Sequence, residues 1–250
     1  MEAVTDLGRE RLRAGADTKS SRTDLATEAD RRSERFVRAE IARARPEDGV
    51  LGEEGGASAG RSGLTWVVDP LDGTTNFVYG FPSWSVSIAL VGETGALVGA
   101  VRDPERRETF SARRGAGAFL GDERLRLGRP PPLAEALVGT GFGYAPELRR
   151  AQARLLGTLL PAVRDIRRAG SAALDLCAVA CGRLDGFYEA GLNPWDSAAG
   201  GLIAAEAGAG SLVLDDLVPG RPTLVTAAAP LLDELAALLR RASSEATGTR

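Results

Sequence analysis

Four acidic sites in this 250-residue chain have the residue types and spacing to do chemistry: Asp30 in DLATEAD, Glu53 in GEEGG, the pair Asp69 and Asp72 in WVVDPLDGTTNF, and Asp196 in NPWDSAAGG. Trp66, Val67 and Val68 read as strand and put Asp69 at its end. Pro70 cannot extend a ladder, which predicts a turn that brings Asp72 back beside Asp69. Gly73, Thr74 and Thr75 then open a helical turn whose exposed backbone N–H groups form an anion site. Two carboxylates beside a phosphate-sized pocket repel the anion unless cations stand between them. Oxygen-only ligands select hard ions such as Mg2+, which combines a few carboxylates with water and substrate phosphate. Two such ions, about 3.5–4 Å apart, stabilise both the attacking and leaving oxygens of an in-line displacement. Asp69, at a strand end, is placed to bridge them.

The rest of the composition narrows the choice. There is no His, which removes Ser-His-Asp triads, Cys-His pairs, phosphohistidine and His-bearing zinc sites. Of 31 Lys plus Arg only Lys19 is Lys, and Asn76 and Asn193 are the only Asn. All three rare residues flank acidic motifs. A net charge of −3 without an extended basic stripe argues against a nucleic-acid partner. No apolar run is long enough to cross a bilayer, and the polar stretch Met1–Arg13 does not read as a secretory signal. Cys177 and Cys181 lie four apart in an apolar helical pattern and read as core residues in a reducing cytosol. Each acidic site also has a plain structural explanation. D-x-x-D-G-T can be a surface turn and Glu53-Glu54 a solvated pair; Asp30 and Asp196 can be helix caps or dipole partners, worth about 0.3–1 kcal/mol. Each is credible alone; all four together, in a chain without His, are not.

The elements that must position these residues follow from periodicity. Residues 31–44 predict a helix with Phe36, Val37 and Ile41 on one side, started by Thr27 or Asp30. Residues 45–64 read as a loop. Strands are predicted at 64–69, 84–91 and 96–103, with a hairpin at 108–121. The patch Gly128–Pro132 is the candidate junction between an N-terminal half, 1–130, carrying most of the acidic sites, and a C-terminal half, 131–250, carrying Asp196. The second half reads as strands near 136–144, 163–169, 211–214 and 223–227, with helices at 146–160, 171–184, 195–207 and 230–241. The tail SSEATGTR reads as unstructured. This alternation predicts α/β layers packed together.

At this point the motifs resemble the inositol monophosphatase family of metal-dependent, lithium-sensitive sugar phosphatases. WVVDPLDGTTNF with FPSWSVSIAL is similar to its first signature and PWDSAAGGLIAAEAG to its second; DLATEAD, GEE and RRAGSAALDL fall in the expected order. The resemblance covers about residues 19–210 and implies an αβαβα sandwich. It implies that Glu53, Asp69 and the Leu71 carbonyl hold a first Mg2+, that Asp69, Asp72 and Asp196 hold a second, and that a weaker third shares Glu53 and Asp69. Mn2+ is the expected substitute. Thr74 and Glu53 would orient and deprotonate the attacking water, with Asp30 hydrogen-bonded to Thr74 and Lys19 matching the family's active-site lysine. The Gly73 and Thr74 amides would bind phosphate, with Asp72 and Asp196 beside the substrate. Ser171, Ala172 and Glu189 match positions that contact sugar hydroxyls.

The implied reaction is hydrolysis of inositol-1-phosphate by a cytoplasmic homodimer with no nucleic-acid or membrane partner. Alternatives are phosphatases of histidinol phosphate, fructose 1,6-bisphosphate or 3′-phosphoadenosine 5′-phosphate, and a catalytically silent regulatory homologue. Only 18 residues precede Lys19, so the family's first long helix is expected to be shortened. The short loop between Glu53 and Asp69 bears on the weaker metal site.

Overall fold

The computed structural model describes residues 17–18, 25–26, 28–218 and 220–247. Lys19 and Thr27, a predicted catalytic residue and a predicted cap, lie outside the described residues. Strands β1 (Asp17–Thr18) and β2 (Leu25–Ala26) form a short antiparallel pair. Helix α1 (Glu28–Ala44) follows, burying Ala29, Asp30, Ser33, Glu34, Val37 and Ile41. It starts three residues earlier than predicted, so Asp30 sits inside its first turn and is not a cap. Phe36 is 44% exposed: Val37 and Ile41, four apart, share the buried stripe, and Phe36 lies about 100° round the helix from Val37.

The segment predicted as a loop holds β3 (Gly49–Gly52) and β4 (Gly56–Ser58). Five of their seven residues are Gly, Ala or Ser, too small to show an alternating pattern. The first sheet continues with β5 (Thr65–Asp72), β6 (Ser85–Gly92), β7 (Gly95–Asp103), β8 (Glu108–Arg113), β9 (Gly117–Leu120) and β10 (Glu123–Leu125), in the order β10-β9-β8-β7-β6-β5-β3-β4. Its one parallel pair is β3 with β5. The short helix α2 (Thr74–Tyr79) follows β5 directly.

After Leu125 the chain builds a second sheet from β11 (Leu137–Thr140), β12 (Asp165–Arg167), β13 (Gly186–Ala190), β14 (Gly210–Val218) and β15 (Arg221–Ala227), ordered β12-β11-β13-β15-β14. Strand β13 was not predicted, since it follows helix α4 (Ala172–Ala180) after only five residues. The other helices are α3 (Pro146–Leu159), α5 (Pro194–Ala207) and α6 (Leu231–Thr247). Helix α6 continues six residues past its predicted end, through most of the tail expected to be unstructured.

The packing gives five layers. Val37 and Ile41 of α1 pack on Val50 and Val68 of the first sheet. On that sheet's other face, Leu174 and Cys177 of α4 and Ile203 of α5 meet Val101 and Phe110. Helix α4 turns Leu176 and Val179 the other way, onto Phe187 of the second sheet. Leu155 and Leu159 of α3 and Leu235 and Leu239 of α6 close the far side, each fully buried Leu stabilising by about 1.5–3 kcal/mol. The fold is an αβαβα sandwich. Among the described residues no helix is long and apolar enough to cross a membrane.

Candidate active site

Strands β3 and β5 run parallel with Gly52 opposite Val68, so Glu53, one residue past the end of β3, lies beside Asp69 within β5. The Glu53 N–H donates to the Val68 carbonyl at 3.3 Å. The loop behind Glu53 is anchored by a residue the sequence did not single out: buried Glu34 accepts from the Glu54 and Gly55 N–H groups at 2.7 and 2.9 Å.

No turn occurs at Pro70. Strand β5 pairs Asp69 with Ser87 and Asp72 with Ser85, three steps against two. Residues three apart in a regular strand face opposite sides. The one extra residue of the bulge swings Asp72 onto the side of Asp69. Pro70, which has no N–H to donate, sits within that irregularity, and its carbonyl accepts from the Ser33 hydroxyl at 3.0 Å. The Leu71 N–H donates to Asp69 Oδ1 at 3.0 Å. Gly73, at φ +99°, then turns the chain into α2.

The Thr74 hydroxyl lies 2.9 Å from Asp30 Oδ1 and 3.2 Å from the Leu71 carbonyl. It has one proton, and the fully buried Asp30 carboxylate is the stronger acceptor. Asp72 Oδ2 accepts from the Ser171 hydroxyl at 2.6 Å and the Ala173 N–H at 2.8 Å. Ser171 is itself buried and also meets Ser85. It therefore supports Asp72 and does not line the cleft, whereas Ala172 does. Asp196, at the third position of α5, completes a capping box with Asn193, whose N–H reaches Asp196 Oδ2 at 2.6 Å. Asp196 is thus part of a helix cap and also borders the cleft.

Glu53, Asp69, Leu71, Asp72, Gly73, Thr74, Ala172, Glu189 and Asp196 all border one cleft of about 340 Å³. Burial, then the carboxylates of Glu53, Asp72 and Asp196, push Asp69 well above the usual range. Asp196 rises to about 7, through burial first and Asp72 second. Burial also raises Asp72, against the pull of Ser171 and backbone amides. Among the described residues no three acidic or Cys side chains already close on one ion position; the acids stand around a cleft. The donor set of four carboxylates and a backbone carbonyl, with Asp69, Asp72 and Asp196 raised by burial first, fits hard divalent cations.

Glu189 shares part of this field: burial, then Asp175, Asp72 and Asp196, push it up to about 8, while Arg168 pulls it down. Asp175 and Arg168 were not predicted as site residues. Arg168 lines the cleft with its Cζ 5.9 Å from the Phe142 ring centroid. Asn76, whose rarity was the only signal, donates to the Ser83 carbonyl at 2.6 Å and the Ala169 carbonyl at 2.8 Å. It ties the signature helix to the segment carrying Arg168.

This arrangement can be compared with known proteins. Residues 1–245 match the sequence pattern of the inositol monophosphatase family. The chain belongs to that family. It is 50% identical over 233 residues to the inositol-1-monophosphatase SuhB of Mycobacterium tuberculosis, covering 89% of this chain and 80% of that protein. A protein of Xylella fastidiosa named Nus factor SuhB is 46% identical over 191 residues, covering 76% and 69%. The solved structure of extragenic suppressor protein suhB from Bartonella henselae superposes with a TM-score of 0.88 at 33% identity, covering 95% of this chain and 93% of that one. The inositol monophosphatase family is generally metal-dependent, and the present chain is one of its phosphatases.

Proposed function

We propose that this phosphatase hydrolyses inositol-1-phosphate to inositol and phosphate, with Mg2+ as its metal and Mn2+ as a possible replacement. Glu53, Asp69, Asp72, Asp196 and the Leu71 carbonyl would hold two to three ions. Bound there, the metal supplies positive charge against the phosphoryl oxygens and makes water more acidic. The Gly73 and Thr74 amides bind the phosphate oxygens. The Thr74 hydroxyl, its proton directed to Asp30, keeps its lone pairs for the attacking water, and Glu53 takes that water's proton. Lys19 is proposed to serve as the active-site lysine that the family resemblance implies. The enzyme is proposed to be a cytoplasmic homodimer.

Glu189 carries the choice of substrate: an acid in the same cleft, buried near Asp175, Asp72 and Asp196 with Arg168 pulling against them, suits hydroxyl groups, and once ionised it would repel a second phosphate placed there. Phosphate release from inositol-1-phosphate, histidinol phosphate, fructose 1,6-bisphosphate and 3′-phosphoadenosine 5′-phosphate tests it. Inositol-1-phosphate should have the highest kcat/KM, and faster turnover of any other would overturn the assignment. A regulatory role is the second reading, favoured by the Nus factor name of the Xylella relative. Tight Mg2+ binding without turnover of any phosphate ester would select it.

A further inference from the structure

Strands β11 and β13 run parallel with Thr140 opposite Tyr188, so Gly141, one residue past the end of β11, lies beside Glu189, which is still within β13 and paired with Leu224 of β15. A Cβ built on Gly141 would stand 2.0 Å from Glu189 Oε2 and 2.1 Å from both Cδ and Oε1. The carboxylate group itself, not its stem, fills the place of a side chain at 141. Gly141 is not among the glycines with positive φ, so the backbone conformation does not demand glycine there; the close approach does. The strip is pinned from behind. Buried Gln152 of α3 accepts from the Gly143 N–H at 3.0 Å and reaches the Gly141 carbonyl at 3.5 Å. Between these glycines Phe142 carries the Arg168 guanidinium, the cation that offsets Glu189.

We infer that Gly141 is a positioning residue for Glu189: by leaving the place of a side chain empty, it sets where the carboxylate meets substrate hydroxyls and so which phosphate ester is preferred. This rests on the reading of Glu189 as a hydroxyl acceptor. A methyl group at 141 must displace the carboxylate, which is the far end of a flexible chain and can swing aside without unfolding the sheet.

The test is Gly141→Ala in the full chain with Mg2+, assayed on inositol-1-phosphate and on 4-nitrophenyl phosphate, which has no hydroxyl for Glu189. The ratio of kcat/KM for the two should fall about tenfold, mostly through KM for the inositol ester. An equal loss on both substrates would overturn the inference. The second measurement is a cycle with Glu189→Asp, whose side chain is one methylene shorter. In that background Gly141→Ala should change the ratio by less than about twofold, and full additivity would also overturn it. The same cycle in melting temperature reads the contact should the single variant fold poorly: a smaller drop in the Glu189→Asp background supports it, and an equal drop opposes it. A native enzyme with no preference for inositol-1-phosphate would instead sink the substrate assignment, before any variant is made.

Discussion

Each sheet brings a parallel pair of strands to the cleft, and the two pairs differ in what stands beside the acid. In the first sheet the register of β3 and β5 sets Glu53 beside Asp69, a second carboxylate. In the second sheet the register of β11 and β13 sets Glu189 beside Gly141, no side chain at all. The first arrangement concentrates negative charge, so burial and repulsion hold Asp69 far above the ordinary carboxylate range. The second lays one carboxylate against the backbone, where burial and then Asp175, Asp72 and Asp196 push it up to about 8 and Arg168 pulls it down. One backbone device thus serves two purposes, and the neighbouring side chain decides which. Paired acids at adjacent strand positions suit cations and a phosphoryl group; an acid packed against bare backbone, with Arg168 pulling against its acidic neighbours, suits hydroxyls.

The comparison breaks most sharply at Asp72. Asp72→Asn removes one charge from the crowded end while keeping a side chain that can still meet Ser171. We expect kcat to fall about a thousandfold, matching the several kcal/mol that metal-held charge supplies to a transition state. Circular dichroism should be unchanged, and near-normal turnover would contradict the metal assignment.

A second consequence concerns pH without metal. Asp196 is held at about 7 and Glu189 at about 8, whereas both ionise near pH 4 in an unfolded chain, roughly their reference values. From about pH 4 to 8 the unfolded chain has lost protons that the folded protein keeps, so stability falls as pH rises through that window and levels off above it. Melting temperature in chelator should follow this slope. Mg2+ should restore more stability at pH 8 than at pH 5, because it binds the ionised folded form. A Mg2+ effect independent of pH would mean that the acids do not share the ions.

The crowded end was the more legible in the sequence, for a physical reason. Asp69, Pro70, Asp72 and Gly73 sit within five residues, and each has a chemical type that restricts the backbone or carries charge. Even there the mechanism differed: a bulge, not a turn, aligns the two Asp, because only the pairing of β5 with β6 reveals the extra residue. The Glu189 end depends on contacts between segments 48 residues apart. Gly141 looks like any other glycine until β13 lies beside it, and β13 itself was hidden by its short spacing from α4. The glycine-rich β3 and β4 left no alternation to read. Glu189 was reached through family resemblance alone; Arg168 and Asp175 were not reached.

Glu189→Ala sharpens the contrast at the open end. KM for inositol-1-phosphate should rise about tenfold, with a smaller loss in kcat, since what is removed is the proposed contact to non-reacting hydroxyls. Equal losses on an aryl phosphate would show that the two ends are not separable.

The smallest expected effect tests whether they are separable at all. Asn76 donates from one Nδ2 to the Ser83 carbonyl on the side of the first sheet and to the Ala169 carbonyl, one residue from Arg168, on the side of the second. Asn76→Ala leaves both carbonyls without that donor, and we expect a loss of about 1–3 kcal/mol in unfolding free energy, read from urea midpoints. If the ends act independently, kcat and KM should each shift by only about twofold, because neither Asp72 nor Glu189 touches Asn76. If Asn76 instead holds the two ends at a fixed separation, both parameters should worsen together by more than stability alone explains. Asn76→Asp distinguishes the cases further: it keeps the size of the side chain but replaces the donor with a charge facing two carbonyls, so a stability loss larger than that of Asn76→Ala would locate the effect in the hydrogen bonds and not in packing.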